Sequence, residues 1–303
     1  MAHDTAGDPM GGLKWTQRTT VKIAEELGSL GIAVCARTVA RLLKQMGFSL
    51  RVNHKKRAGC SHPDRDAQFE RITALRAHAV AEGMPLISVD TKKKEIIGAF
   101  RNPGVKWDRE PVCVNDHDFR SEADGLAVPY GVYDVQTNRG TLFVSTSFDT
   151  PDFAVDCIEQ WWRIEGRKRF PGASCLGILA DGGGSNGSSS RAWKFGLQHR
   201  LCNRHGLTVC VAHYPTGASK WNPIEHRLFS ELSKNWAGRP LDSLETILKY
   251  ARTTTTRTGL QVRAHLVRRQ YPKGRKITDA QMKALAIVKD ERLPKWNYTI
   301  SPS

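Results

Sequence analysis

No stretch of the 303-residue sequence approaches the roughly 20 consecutive apolar residues that a membrane-spanning helix requires. The first residues, MAHDTAGDPMGG, lack the basic start and apolar middle of a secretory signal, so the expected compartment is the cytoplasm. Cysteine is scarce and unpatterned: seven residues, an odd number, with no two at the spacing typical of zinc ligands. That argues against a disulfide framework or a zinc site, and in runs such as TVCVAH a free thiol acts as a small hydrophobe. No internal repeat or low-complexity tract is present. Acidic residues are the other shortage. Only 30 Asp and Glu face 46 Lys and Arg, leaving a net charge of +16. An excess of that size attracts polyanions and points to nucleic acid as a partner, provided some element presents it.

Residues 15 to 50 read as two short helices joined by a Gly-containing turn. The first carries Ile23, Ala24, Leu27 and Leu30 at helical spacing. The second places Val39, Leu42, Leu43 and Met46 on one stripe and Arg37, Arg41 and Lys44 on the opposite face. Apolar on one side and basic on the other, it resembles a helix-turn-helix recognition helix; a solvated basic face on an ordinary helical hairpin is the plainer alternative. RVNHKKRAGCSHPDRD (51 to 66) reads as a basic linker, and a helix follows from Asp66 to Glu82 with Phe69, Ile72, Leu75 and Ala79 as its stripe.

Strand patterns then take over. PLISVD ends an apolar run in Asp90, VPYGVYDV and TLFVSTS suggest a hairpin around QTNRG, and TPDFAVDCIEQWWRIEG reads as a helix capped by Thr150 with Pro151 at its first position. CLGILAD ends in Asp181, and GGGSNG leads into a helical segment from Ser189 to His205. LTVCVAH reads as the last strand, and Asn222 to Trp236 as a long amphipathic helix. Strand, hairpin, helix, strand, helix, strand, helix is a mixed α/β order that suits a ribonuclease H-like sheet with flanking helices. The expected domains are a helix-turn-helix-like region with its linker over 1–60, a connecting helix over 61–84 and the catalytic domain over 85–303.

Acids at the carboxyl ends of strands in an α/β sheet point at a site, which singles out Asp90 and Asp181. Glu225, after an expected Asn222 cap and Pro223, sits beside the buried stripe of Ile224, Leu228, Leu232 and Trp236. Three converging carboxylates repel one another unless a cation lies between them, and hard oxygen donors suit magnesium or manganese. Taken singly, each acid also fits a strand-end turn or a helix-start charge. Asp134 ends an apolar run as well, and residue pattern alone does not separate it from Asp90; Asp118 and Asp149 are further rivals. GGGSNG lacks the lysine of a nucleotide-binding loop. His117, His213 and His226 fit structural roles better than catalytic ones. Among the tryptophans, Trp221 is the one placed to stack on DNA.

SVDTKKKEIIGAFRNPG, VPYGVYDVQTNRG, DTPDFAVDCIEQWW, ILADGGGSNG, HYPTGASKWNPIEHRLFS, NWAGRPL and KWNYTI resemble successive blocks of the Rhodopirellula-type DDE transposases, bacterial insertion-sequence enzymes distantly similar to the mariner-like group. The resemblance runs over roughly residues 15 to 300. It implies a polynucleotidyl transferase whose three acids fall on Asp90, Asp181 and Glu225, holding two Mg2+ or Mn2+ ions. Its partners would be element-end and target DNA, with Arg37, Arg41, Lys44, Lys92, Lys93, Lys94, Lys220 and Trp221 as DNA contacts. A homodimer or higher oligomer on DNA, cytoplasmic and nucleoid-associated, is the implied working form. Phe148 and Thr216 depart from the family's usual His and Pro, and relatives usually carry a longer N-terminal region. A nuclease of the same fold that only hydrolyses, and an inactive DNA-binding relic or regulator, are the competing expectations.

Overall fold

The structure, a computed structural model, describes residues 5–7, 14–16, 18–50 and 63–303, with the backbone alone for 5–7, 14–16 and Lys220. The chain divides into two compact units, 1–58 and 59–303. Most of the expected linker, residues 51–62, lies outside the described residues.

In the smaller unit β1 (Thr5–Gly7) pairs antiparallel with β2 (Lys14–Thr16). Helix α1 (Thr20–Ser29) starts where the Thr19 hydroxyl accepts the Lys22 amide at 3.3 Å, and α2 (Ala36–Gln45) follows a short turn. Ile23 and Val39 are the only fully buried side chains among this unit's described residues. The expected α2 stripe is therefore only half used. Val39 is covered, whereas Leu42 and Met46 are exposed, because two helices of ten residues offer too little surface to cover so wide a stripe. Arg37, Arg41 and Lys44 face solvent.

The larger unit is built on a nine-stranded sheet. Helix α3 (Arg65–Ala81) leads into β3 (Leu86–Thr91) and β4 (Glu95–Ile97), followed by β5 (Gly125–Asp134) and β6 (Arg139–Ser145). Helix α4 (Pro151–Trp161) runs through a π-helical turn, Trp162–Gly166, into α5 (Arg167–Arg169). Then come β7 (Cys175–Ala180), α6 (Arg191–Leu197), a π turn at Gln198–Cys202, α7 (Asn203–His205) and β8 (Thr208–His213). Another π turn, Glu225–Phe229, continues into α8 (Ser230–Trp236), and α9 (Leu244–Arg252), β9 (Gln261–Leu266), α10 (Asp279–Lys283), β10 (Ile287–Lys289) and β11 (Asn297–Ile300) complete the chain.

The central strands lie in the order β6-β5-β3-β7-β8, with β3, β7 and β8 parallel and β5 antiparallel to its neighbours. Numbered by appearance this is 3-2-1-4-5 with the second strand reversed, the ribonuclease H-like arrangement expected from the order of elements. The expectation that β8 is the last strand is overturned: β9 extends the β6 edge, and β11 and β10 extend the β8 edge. These strands escape a reading based on apolar runs because they are short or half-exposed, as in the alternating burial of Gln261–Leu266.

Both faces of the sheet are covered. Ile87, Val89, Tyr130, Val132 and Phe143 pack under Phe153, Ile158, Trp161, Trp193 and Leu197 of α4 and α6. On the opposite face Tyr133, Leu142 and Val144 meet Ile224, Leu228, Leu232 and Trp236, with α9 beyond. Helix α3 packs Ile72, Leu75 and Ala79 against Leu86, Leu179, Ala212 and Tyr214. Two glycines let the Glu225 helix lie close to the sheet. A Cβ at Gly131 would meet Phe229 Cε1 at 2.5 Å and Ile224 Cδ1 at 2.8 Å, and one at Gly140 would meet Leu228 Cδ1 at 2.4 Å. Gly131→Val is expected to cost about 1–3 kcal/mol by overpacking, read as a lower midpoint in urea unfolding. An unchanged midpoint would show that the helix yields freely.

Candidate active site

Asp90 and Asp181 reach one edge of the sheet through neighbouring parallel strands. Val89 is registered with Ala180, so each acid follows its partner's level by one residue, on strands about 4.8 Å apart. Asp90 is also registered with Gly131 on its other side. The missing Cβ of Gly131 faces Ile224 and Phe229, which brings the helix bearing Glu225 over the same strand end. Glu225 opens the π turn, where the Ser230 amide donates to its carbonyl.

The two aspartates are held by backbone or side-chain donors. The Thr91 amide donates to Asp90 Oδ1 at 2.8 Å, and Asn222 Nδ2 lies 3.4 Å from Asp90 Oδ2. The Gly182 amide donates to Asp181 Oδ1 at 2.6 Å. Asn222 stands where the sequence places it, just before the helix that begins at Pro223, but its side chain is used differently. Its side-chain oxygen accepts from the Ser88 hydroxyl at 2.5 Å instead of capping the helix, so this buried amide ties the Glu225 helix to β3.

Electrostatics mark Asp90 out. Burial, then repulsion from Asp181, Glu225 and Asp149, pushes its carboxyl up to about 8, against the lowering effect of the Thr91 amide. Burial also raises Glu225, an effect opposed by the charges of His226 and Lys92 and reinforced by Asp181. Asp149 was only one rival among several in the sequence. Here it accepts the Thr91 hydroxyl at 3.1 Å and belongs to the charge cluster.

Asp134, the strongest rival on pattern, is separated by strand direction. β5 runs opposite to β3, and Asp134 is registered with Ile87, three residues and about 10 Å down the strand from Asp90. Fully buried, it accepts the Gln136 and Thr137 amides and pairs with Arg169 at 2.7 Å, a turn-fixing role. Asp118 is exposed. The His213 ring is buried between the carbonyls of Trp296 (2.7 Å from Nδ1) and Asn186 (2.9 Å from Nε2), stitching the loop after Asp181 to the C-terminal segment. The far part of that loop is packed: Ser185 and Asn186 are buried, and Asn186 accepts the Tyr130 hydroxyl at 2.8 Å, while Gly183 and Gly184 are exposed.

The expected DNA contacts divide. Lys92 is buried, paired with Glu95 and lying 4.7 Å from the Trp236 ring centroid, so its ammonium is not presented to solvent. Lys93 and Lys94 are exposed. Trp221 is half-exposed, with Arg65 5.0 Å over its ring and Phe69 at its edge. The Lys220 side chain lies outside what the structure describes.

Among the described residues, no three His, Cys, Asp or Glu side chains converge tightly enough to form a metal-ligand group. The donor chemistry nonetheless fits a hard divalent cation: all four side chains offer only oxygen, and their mutual repulsion is of the kind a cation between them would relieve. Among the described residues no helix is long and apolar enough to cross a membrane.

A family model described as the Rhodopirellula transposase DDE domain matches residues 1–302. No curated protein matches the sequence. Among solved structures, a Mos1 transposase paired-end complex with left transposon end is similar at 15% identity and a TM-score of 0.48, over 77% of this chain and 65% of that one. A Mos1 mariner paired-end complex with Mn gives 15% and 0.47 over 77% and 65%, and a Mos1 strand transfer complex 16% and 0.46 over 77% and 64%. The chain thus spans just under two thirds of the solved chains it matches.

Proposed function

We infer function from descent: this chain belongs to the Rhodopirellula transposase DDE-domain family, whose model takes in residues 1–302. On that premise we propose that it is a polynucleotidyl transferase that cleaves insertion-sequence ends and joins the resulting 3′-hydroxyl to target DNA. The observation that carries this reading is Asp90, a desolvated carboxyl raised to about 8 within a field of three other acids.

In the proposed mechanism Asp90, Asp181 and Glu225 would hold two divalent ions, Mg2+ or Mn2+. When bound, such ions activate the attacking oxygen and stabilise the leaving oxygen of an in-line phosphodiester displacement. The protein's part is to fix the oxygens. The Thr91 amide and Asn222 fix the two oxygens of Asp90, and the Gly182 amide orients Asp181. Water serves as nucleophile for cleavage and the 3′-hydroxyl for joining. Lys93 and Lys94 would hold phosphates near the β3 end, Trp221 would stack on DNA, and Arg37, Arg41 and Lys44 of α2 would grip the element end in a helix-turn-helix manner. A homodimer or higher oligomer, bringing two ends together at the nucleoid, is the proposed working form.

The test is purified protein on its own flanking element ends, with magnesium and with chelator. Nicked and joined products that vanish with chelator are expected. Cutting without joining would leave a hydrolytic nuclease, and binding without either would leave a DNA-binding relic.

Asn222 gives a narrower prediction. Asn222→Ala removes the partner of Ser88 and of Asp90 Oδ2, which is expected to cost about 1–3 kcal/mol of stability through unsatisfied buried groups. Joining is expected to slow by about 10–100-fold in kcat with KM for DNA little changed, since a displaced carboxylate affects the transition state more than binding. An effect confined to stability would make Asn222 purely structural.

A further inference from the structure

After β9 the chain reads RRQYPKGRK, five cations and no acid over residues 268–276. This loop is fixed at both ends. Tyr271 is buried, its amide donates to Ser147 Oγ at 2.7 Å, and its ring lies 5.3 Å from that of Phe153. Ile277 is buried and its carbonyl accepts from Arg191 at 3.2 Å. Between them Gly274, at φ +80°, makes a left-handed tip that only glycine adopts freely.

The cations of the loop do two different things. Arg269 pairs with Asp156 at 2.9 Å and Arg275 with Asp152, tying the loop to α4. Arg268, Lys273 and Lys276 are left over: among the described residues none of the three has a carboxylate partner, and of them the two lysines line a common cleft. Lys273 Nζ stands 4.3 Å from the Phe148 ring centroid, beside Asp149. Both lysines line a cleft of about 570 Å³ that also takes in Asp149, Thr150 and Ser190. Asp149 accepts the hydroxyl of Thr91, the residue after Asp90, at 3.1 Å, so the cleft runs from a basic rim to an acid that borders the Asp90 strand end.

Two exposed ammonium groups on an anchored loop, at the rim of a cleft that reaches Asp149 beside the Asp90 strand end, form a surface for a polyanion approaching the site. We propose that Lys273 and Lys276 clamp the phosphodiester backbone of duplex DNA at the rim of this cleft, an assignment that rests on the strand-transfer reading of the same site. Backbone contacts position the duplex without reading bases, so the clamp acts alike on all sequences.

The test uses the full chain and a fluorescently labelled duplex carrying the flanking element end, with an unrelated duplex beside it. Anisotropy is read in chelator, so that binding is measured without catalysis. K273A/K276A is expected to lower affinity about tenfold or more on both duplexes and to reduce the slope of log K against log salt by about 2, one released counterion per lost contact. K273R/K276R is expected to restore both. R257A, which removes an exposed cation at the opposite end of the sheet, serves as control. A K273A/K276A slope and affinity equal to those of R257A would overturn the clamp, as would a parent protein that does not bind duplex DNA. Cleavage is scored separately with magnesium. A parent that never cuts, yet loses binding in K273A/K276A, removes the transferase reading and leaves the clamp; a cutting parent with an unaltered slope removes the clamp alone.

Discussion

Asp181→Asn is expected to lower both cleavage and joining by about 10³-fold or more, because a lost cation ligand forfeits several kcal/mol of transition-state stabilisation and each 1.4 kcal/mol is a factor of ten. Affinity for element-end DNA should stay within a few-fold of the parent. The reason is local. Asp181 follows β7 as a half-buried side chain whose Oδ1 accepts the Gly182 amide, a bond that the Asn side-chain oxygen also accepts. Fold and charge elsewhere are untouched, so the loss belongs to chemistry and not to binding. Activity within tenfold of the parent would remove Asp181 from the reaction.

The second large effect is the pH dependence of stability without metal. Asp90 titrates near 8 in the folded chain against 3.8 as an unperturbed carboxyl, so between those values the folded state binds a proton that the unfolded state has released. Stability therefore falls as pH rises from about 4 through 8. Each kcal/mol lost lowers the midpoint by about 2–4 °C for a domain of this size. Magnesium, by offsetting the repulsion among the acids, should restore the midpoint most at pH 8 and least at pH 5. Asp90→Asn, which cannot ionise, should flatten the metal-free profile. A parent whose midpoint is unchanged between pH 5 and 8 in chelator would show that the acids do not strain the fold.

Much of this arrangement can be read from residue pattern, and the exceptions have physical causes. The runs ending at Asp90 and Asp181 are apolar because both strands are buried in the middle of the sheet. The start of α4 follows from Thr150, whose hydroxyl accepts the Phe153 amide at 3.3 Å, with Pro151 just after it. The stripe Ile224, Leu228, Leu232 and Trp236 is wholly buried, as its spacing of four requires. The π turn within that helix has no such signal, since one shifted hydrogen bond leaves the apolar stripe intact.

Choosing between Asp90 and Asp134 needs strand direction, which an apolar run does not encode. Both close a buried strand, and only the antiparallel register of β5 sends Asp134 to the far end. Asn222 looks like a helix cap because asparagine commonly is one; its bond to Ser88 is a long-range contact invisible to local pattern. Lys92 sits in a run of three lysines that reads as one solvated patch, yet the strand end turns it inward onto Glu95 and Trp236. The basic loop at 268–276 is plain in composition, but what separates Arg269 and Arg275 from its free lysines is the placement of Asp152 and Asp156 on α4.

The central claim is that three acids distant in sequence share divalent cations. Crystals soaked in Mn2+ and measured at the manganese absorption edge test it directly. Two anomalous peaks, within coordination distance of Asp90, Asp181 and Glu225 and absent from an Asp90→Asn crystal, are the predicted result. Manganese bound elsewhere with the space between these carboxylates empty, or peaks that persist in Asp90→Asn, would contradict it.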